Sequence, residues 1–323
     1  MELALSEEQQ ELAATVRALL ARRADSAAAR AAMESERGYD EALWQTLCDQ
    51  VGVAALAIPE AYGGAGFSLL ESMVVLEEVG RSLAPSPLLA SLVAAEALLA
   101  GGTDEARRRL LPRIAAGEVA AFAVPDEPSL FADRATVLLV AGGELVETAD
   151  AAAWVPSMDQ TLRLGVVPSA AGAPVGDAAA ARARASLVGA VGVAALSAGL
   201  AARALEMTVA YSKERVQFGR PIGSFQALKH RMADLLVLVE MSRSASWAAS
   251  WALATEAPNA EQLAHVAKSY CSDALDRVAA ETVQLHGGLA ITWEHDAQLV
   301  FKRAHALGQL FGSARRHRAL IEL

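Results

Sequence analysis

The apolar residues of this chain change their spacing twice, and this change limits the possible folds more than any other feature. In the first and last parts of the sequence they recur every three or four residues, as in Leu228, Met232 and Leu235, which is the spacing of an amphipathic helix. Between these parts lie short Val-rich runs, separated by Pro and Gly, at 119–124, 136–140 and 162–167. Runs of this kind are typical of β-strands.

The pattern predicts a mainly α chain with a small β domain. The segment 169–185 is rich in Ala, Gly and Pro and is interpreted as the linker into the last domain. The expected order is an N-terminal helical domain over 1–117, a reduced middle β domain over 118–182 and a C-terminal helical bundle domain over 183–323.

Four local signals concern individual helices. Ser6 and Gln9 have the spacing of a capping box that begins a helix. A later helix is expected to stop near Gly80. Thr292 precedes acidic residues and is expected to be the N-cap of another helix. The basic run 315–318 is interpreted as a solvated helical face.

The composition argues against several classes of protein. The formal net charge is −10, whereas a nucleic-acid-binding protein needs clustered positive charge. Two distant cysteines, Cys48 and Cys271, indicate neither a disulfide framework nor a zinc site, and the sequence predicts no metal site. The acidic N-terminus is unlike a signal peptide, and the apolar run 87–100 is shorter than a membrane span. We therefore expect a soluble, cytoplasmic protein.

The segment 211–230 is the first candidate for a binding site. Arg215 precedes a loop with two glycines and a proline, and an arginine held at a rigid turn suits bidentate contact with phosphate. Phe218 can cover an aromatic ring, and Gln226 can hydrogen-bond a neutral polar group. The alternative is a corner between two helices whose arginines are solvated.

Two further segments lie nearer the C-terminus. In Gln284-Leu285-His286-Gly287-Gly288 the adjacent glycines let a backbone approach a ligand closely, although the same residues also suit an ordinary helix end. The segment 292–296 has acid–base potential through Glu294, although it equally suits a plain helix start.

Taken together, these motifs resemble the acyl-CoA dehydrogenase family over nearly the whole chain. More narrowly, the sequence resembles the short subunit, without a catalytic base, of actinobacterial heteromeric enzymes that act on steroid side chains. The resemblance implies an α-domain, a β-domain and a C-terminal four-helix bundle, together with FAD and α,β-dehydrogenation of an acyl-CoA thioester. The similar segments are 58–89, 110–124, 211–235 and 281–307.

The resemblance also assigns cofactor-binding residues. In this family the C-terminal domain of one subunit holds the ADP end of an FAD that is seated mainly in its neighbour. Arg215 resembles the arginine that approaches the pyrophosphate, and Phe218 and Gln226 match positions that face the neighbouring chain. The segment near the adenosine is matched by Gln284, Leu285, His286, Gly287 and Gly288.

The catalytic base of the family has no counterpart here. The family's glutamate falls at Phe311 by the resemblance, and its alternative position falls near Gly189. Neither residue can accept a proton, so no catalytic residue is assigned. The middle domain also departs from the family, because 123–129 lacks the Gly-Ser-Asp run and 154–157 only faintly resembles the flavin-lining Trp-Ile-Thr/Ser run.

These observations lead to one main hypothesis and two alternatives. The main hypothesis is an acyl-CoA dehydrogenase subunit, in an α2β2 heterotetramer, that completes the FAD site of a homologous catalytic partner. The partner would then bind most of the acyl-CoA. One alternative is a self-sufficient homo-oligomer with an unusual base, Glu294 or Glu281. The other is a non-enzymatic assembly or regulatory subunit.

Overall fold

The computed structural model describes residues 4–321. Its helices are α1 (Glu7–Arg23), α2 (Ser26–Glu34), α3 (Glu41–Val51), α4 (Leu69–Ser82), α5 (Leu88–Gly101), α6 (Asp104–Ala115), α7 (Ala178–Glu214), α8 (Gln226–Ala254), α9 (Ala260–His286), α10 (Ala297–Gln309) and α11 (Ala314–Arg318). Its strands are β1 (Ala120–Ala123), β2 (Ser129–Leu130), β3 (Val137–Ala141), β4 (Leu145–Thr148), β5 (Ala153–Val155), β6 (Leu164–Val166), β7 (Ala173–Gly176), β8 (Val216–Gln217) and β9 (Arg220–Pro221). The chain is therefore mainly helical, with a sheet region between α6 and α7, as the apolar spacing predicts.

The 37-residue helix α7 is the centre of the fold. It packs against α4 and α5 on one side and against α8, α9 and α10 on the other. Small residues let these neighbours approach closely, and most of its residues are buried, among them Val188, Val191 and Leu200. Within the described part of the chain α7 alone is long and apolar enough to cross a membrane, yet 89% of its most apolar window is buried in the protein. That burial is typical of a core helix.

Helices α4 and α7 cross at two glycines. A Cβ atom on Gly80 would overlap the backbone carbonyl of Leu196, and a Cβ atom on Gly199 would overlap the carbonyl of Glu77. The prediction that the helix stops near Gly80 is confirmed to within two residues, because α4 ends at Ser82. Gly80 itself is needed where the two helix backbones touch.

The strands before α7 form two small sheets. One has the order β1-β3-β4-β7, with β1 parallel to β3, and the other has the order β2-β6-β5 and is antiparallel. The interpretation of 169–185 as a linker is wrong, because this segment contains β7 and the first turns of α7. The domain divisions at residues 117 and 182 stay a prediction.

The C-terminal helices form a bundle of α7, α8, α9 and α10. At the other end of the chain, Ser6 and Gln9 form the predicted capping box of α1. Thr292 is not an N-cap, because α10 begins only at Ala297 and the Thr292 hydroxyl donates to the carbonyl of Leu289. The run 315–318 is only partly solvated, because His317 is buried.

Candidate nucleotide-binding site

The residues expected to bind a cofactor meet at one end of the bundle. Here α7 ends, the β8–β9 hairpin turns into α8, and α9 ends beside α7. The rings of Tyr211 on α7 and His286 on α9 are stacked with centroids 4.4 Å apart. The hairpin is tied to α7 because the Ile222 amide donates to the Arg215 carbonyl at 2.8 Å. The fold thus joins sequence segments that are some seventy residues apart.

Most of these residues present their side chains or backbone to solvent. Phe218 is 92% exposed at the tip of the hairpin. The other exposed members are Arg215, Gln226, Gln284, Gly287 and Gly288. Leu285 and His286, in contrast, are 7% and 3% exposed. These two residues therefore belong to the packing beneath this surface, unlike their exposed neighbours.

The hairpin gives this surface its positive charge. Among residues 4–321, no carboxylate lies within salt-bridge distance of Arg215. Arg220 lies over the Phe225 ring, 4.0 Å from its centroid, in a cation–π contact. Phe218 has a positive φ of 53° and the following Gly219 one of 77°, which closes the tight turn. An exposed guanidinium without an ion-pair partner, such as that of Arg215, suits bidentate contact with a phosphate.

The glycine pair after α9 leaves the backbone open. Gly287 has φ 61° and ψ −144°, a conformation that only glycine adopts without strain. No atom lies within 4 Å of where a Cβ would stand on Gly287 or Gly288. A ligand can therefore approach this backbone directly. The open backbone lies at the same end of the bundle as Arg215, Gln226 and Gln284, the other exposed residues expected to bind a cofactor.

The two expected positions of a catalytic base lie against each other. The Phe311 ring covers Gly189 so closely that a Cβ atom at position 189 would overlap the ring carbons Cδ1 and Cε1. Phe311 has a positive φ of 55°, and its carbonyl is 2.9 Å from Nε2 of the buried His317. An apolar ring thus fills the volume in which a carboxylate would act.

The space near this contact is too small for an acyl group. Beside Leu310 lies a cavity of about 20 Å³ that is enclosed by leucines of α4, α5, α7 and α10 and by Arg303. Sites for small molecules usually measure about 300–1,000 Å³, and 20 Å³ holds about one water molecule. The described part of the chain therefore offers no acyl pocket at this point.

The alternative bases, Glu281 and Glu294, are not placed for proton abstraction. Glu281 is buried and is held by Arg231 and Arg277 in two ion pairs. Glu294 is exposed to solvent. A general base for this chemistry needs a dry pocket and free access to substrate, and neither residue has both.

Sequence reasoning missed a buried polar cluster next to the same cavity. The Arg303 guanidinium donates from Nε to the Thr161 hydroxyl at 2.8 Å and from Nη2 to the Thr161 carbonyl at 3.0 Å. Asp159, which is fully buried, lies 3.6 Å from Nε. Burial lowers the pKa of Arg303, and the negative charge of Asp159 opposes this effect. The sequence carries no motif for this cluster, since its members are separated by most of the C-terminal half.

The tryptophan that faintly resembles the family's flavin-lining run lies at the surface of the middle region. Trp154 lies on the short strand β5 and is 57% exposed. The Arg163 guanidinium lies 5.7 Å from the centroid of its ring, and this arginine is held by Asp133 at 2.7 Å.

Comparison with known proteins places this geometry in a family. Residues 6–118 match the acyl-CoA dehydrogenase N-terminal domain, and residues 181–322 match its C-terminal domain. The chain is 47% identical to the acyl-CoA dehydrogenase IpdE2 of Mycolicibacterium smegmatis, over 96% of both chains. It is 46% identical to IpdE2 of Mycobacterium tuberculosis, over 96% of this chain and 94% of that one.

Solved structures agree with this similarity. The ChsE4–ChsE5 complex from Mycobacterium tuberculosis superposes with a TM-score of 0.89 at 25% identity, covering 99% of this chain and 98% of its counterpart. A variant of the steroid acyl-CoA dehydrogenase Tcur3481–Tcur3483 gives 0.88 at 30% identity, covering 98% and 96%. By sequence and by fold, this chain belongs to the acyl-CoA dehydrogenase family.

Proposed function

We propose that this chain is the non-catalytic subunit of a heteromeric, FAD-dependent acyl-CoA dehydrogenase. In this proposal it completes the FAD site of a homologous catalytic partner, and the two chains form a cytoplasmic α2β2 heterotetramer. The observation that carries the proposal is the contact between Phe311 and Gly189. Both positions at which the family places its base are occupied by residues without a titratable group, and the ring of one fills the space beside the other.

The exposed surface at the end of the bundle supports the binding role. Arg215 would contact the pyrophosphate of FAD, and the open backbone of Gly287 and Gly288 would approach the adenosine. Gln226 and Gln284 would hydrogen-bond its neutral polar groups. An exposed site of this kind holds a ligand poorly by itself, since tight small-molecule sites bury most of the ligand. A partner that covers the other side of the nucleotide would complete it.

The division of labour follows from what the reaction requires. When bound, FAD accepts the hydride from the β-carbon of the acyl thioester. A carboxylate must remove the α-proton, and in this proposal the partner supplies it. In this proposal this chain's residues bind and orient the ADP end of the cofactor, and its apolar interior around Phe311 leaves no room for the substrate.

The substrate class is proposed from the similar structures. One of them is a steroid acyl-CoA dehydrogenase, and its name and that of ChsE4–ChsE5 each join two chains. We therefore infer a steroid-derived acyl-CoA thioester, bound mainly by the partner, as the substrate of the complex.

The proposal is tested by the flavin content of purified proteins. The chain is expressed alone and together with a homologous acyl-CoA dehydrogenase chain that keeps its glutamate, and flavin and protein are quantified. The complex should hold one FAD per pair of unlike chains and reduce a dye with a steroid acyl-CoA. The chain alone should be colourless and inactive. One FAD per chain in a homo-oligomer that oxidises acyl-CoA would contradict the proposal, and Glu294→Gln would then identify or exclude the alternative base.

Arg215→Ala tests the shared site directly. Loss of this guanidinium should weaken FAD retention by the complex about tenfold or more, as expected for a charge-assisted contact of about 1.5–3 kcal/mol. Arg108 is a matched control, because it is also exposed and has no ion-pair partner among the described residues. Arg108→Ala should leave FAD retention unchanged.

A further inference from the structure

Three aromatic rings are stacked beneath the candidate nucleotide surface. The centroids of Tyr211 and His286 are 4.4 Å apart with an interplanar angle of 25°, and those of His286 and His295 are 4.6 Å apart with an angle of 50°. The three residues come from α7, α9 and the segment before α10. His286, in the middle, is 3% exposed.

Each residue of the stack is linked to a backbone segment that borders the surface. Tyr211 lies in the last turn of α7, and its main-chain carbonyl accepts the amide of Arg215 at 2.8 Å. His286 directly precedes the glycine pair. His295 accepts the Ala297 amide at Nδ1, at 3.1 Å, and so fixes the start of α10. The stack thus joins the arginine half of the surface to its glycine half.

The hydrogen bonds define the state of the central ring. Nδ1 of His286 lies 2.7 Å from the carbonyl oxygen of Thr282. Because a carbonyl only accepts, Nδ1 carries the proton and Nε2 has the lone pair. Nε2 is buried and has no hydrogen-bond partner among the described residues. Burial lowers the pKa of both His286 and His295, which favours the uncharged form of each ring.

We propose that Tyr211, His286 and His295 are positioning residues for FAD. They do not touch the cofactor; they fix the distance between Arg215 and the backbone of Gly287 and Gly288, so that both contact one nucleotide at once. The inference rests on the proposed function, because it assumes that this surface binds the ADP half of FAD. Loss of a ring should weaken the binding of the ADP half of FAD, whereas the binding of the flavin half in the partner's site should not change.

The test compares FAD with FMN, which lacks the adenosine half. Both are titrated into the flavin-free complex of this chain and its catalytic partner. His286→Leu removes the ring and the bond to Thr282, and it should raise the Kd for FAD about tenfold, because an aromatic contact and one hydrogen bond that hold the two segments together are lost. The Kd for FMN should not change. His286→Phe keeps a ring in the stack and should restore most of the FAD affinity.

Two more variants keep the test informative if the buried histidine cannot be replaced. His295 is only half-buried, so His295→Leu should fold and should also weaken FAD but not FMN. His305→Leu is the control, since this histidine lies on α10 outside the stack.

The outcomes separate the inference from the proposed function. If Arg215→Ala weakens FAD binding but His286→Leu and His295→Leu do not, the inference is wrong and the shared site stands. If the ring variants weaken FAD and FMN equally, the rings serve only general stability, which also overturns the inference. If Arg215→Ala itself has no effect, the proposed function fails.

Discussion

Phe311 and Gly189, the two positions at which the resemblance places a catalytic base, are joined by close packing. Phe311 adopts a left-handed backbone conformation, which costs a non-glycine residue about 1–2 kcal/mol. Its ring packs against the core, and Gly189 lets it reach the backbone of α7. The two residues therefore depend on each other, because the ring needs a position without a side chain.

This dependence predicts that the effect of Gly189→Ala on the free energy of unfolding changes sign when the Phe311 ring is absent. Gly189→Ala alone should lower the free energy of unfolding by about 1–3 kcal/mol, because the new methyl group overlaps the Phe311 ring. In a Phe311→Ala background the same change should be neutral or stabilise by up to about 1 kcal/mol, because Ala favours a helix over Gly. Urea denaturation of the four proteins measures both values.

Gly308→Ala is the matched control for that experiment. It also lies within a helix, but no atom lies within 4 Å of where its Cβ would stand. It should not destabilise the protein in either background. Equal effects of Gly189→Ala with and without the Phe311 ring would show that the contact does not govern the cost.

The sequence predicts the identity of these residues but not their contact. The absence of a carboxylate at positions 189 and 311 is visible in the amino-acid order. The packing of one on the other depends on how α10 returns to α7, which no local pattern specifies. The burial of the His286 side chain is likewise not predictable from the sequence, because most other residues of the same motif are exposed.

At the scale of helices, the crossing of α4 and α7 joins the two helical parts of the chain. Each helix contributes a glycine at the point of contact, Gly80 and Gly199, and each glycine faces a backbone carbonyl of the other helix. Backbone atoms cannot move aside as the end of a side chain can. This crossing therefore tolerates no side chain at either position.

Gly199→Ala should accordingly destabilise the protein by roughly 3 kcal/mol, the upper part of the range for overpacked cores. The thermal midpoint and the free energy of unfolding of the purified chain measure the effect. Gly308→Ala again serves as the control that gains helix propensity without a clash. A Gly199→Ala protein as stable as the control would mean that the helices can separate slightly at no cost.

Local sequence signals predict helix ends correctly where no distant segment of the same chain determines the helix end. The capping box at Ser6 is correct because its groups lie within a few residues of each other. The helix end near Gly80 is predicted to within two residues, although the sequence does not show that Gly80 serves a helix crossing. The predictions at Thr292 and 169–185 are wrong. Thr292 belongs to the loop after the glycine pair, and residues 173–176 pair with β4.

At the scale of the whole molecule, Arg303 connects three parts of the chain. From α10 it reaches Thr161 and Asp159 in the middle region, and Nη2 also lies 3.4 Å from the Ala84 carbonyl before α5. Asp159 in turn accepts the Thr161 amide at 2.9 Å. This buried group fixes the small sheets on the helical framework.

Arg303→Met should destabilise the protein by about 3–5 kcal/mol, because it leaves Asp159 buried without its counter-charge. Adding Asp159→Asn should recover part of the loss, because the amide is uncharged and can still accept from Thr161. Chemical denaturation measures all three proteins. Arg37→Met is the control, since its ion pair with Glu41 is exposed and should contribute at most about 1 kcal/mol.

The order of helical and β regions, and the family, follow from the sequence because apolar spacing and short motifs are local properties. The Arg303 cluster and the contact between Phe311 and Gly189 cannot be predicted from the sequence, because each joins segments that are far apart in the chain. The surface formed by Arg215 and the glycine pair is an intermediate case. The sequence identifies its residues one by one, but only the fold shows that they lie at the same end of the bundle.

The contact between Phe311 and Gly189 also limits how a carboxylate could enter this part of the interior. A glutamate at position 189 would collide with the ring, and a glutamate at position 311 would place a charge in an apolar environment. Either single substitution would destabilise the protein. In the heteromer that we propose, a base could therefore arise in this chain only through coordinated substitutions, and its dependence on a catalytic partner would resist single mutations.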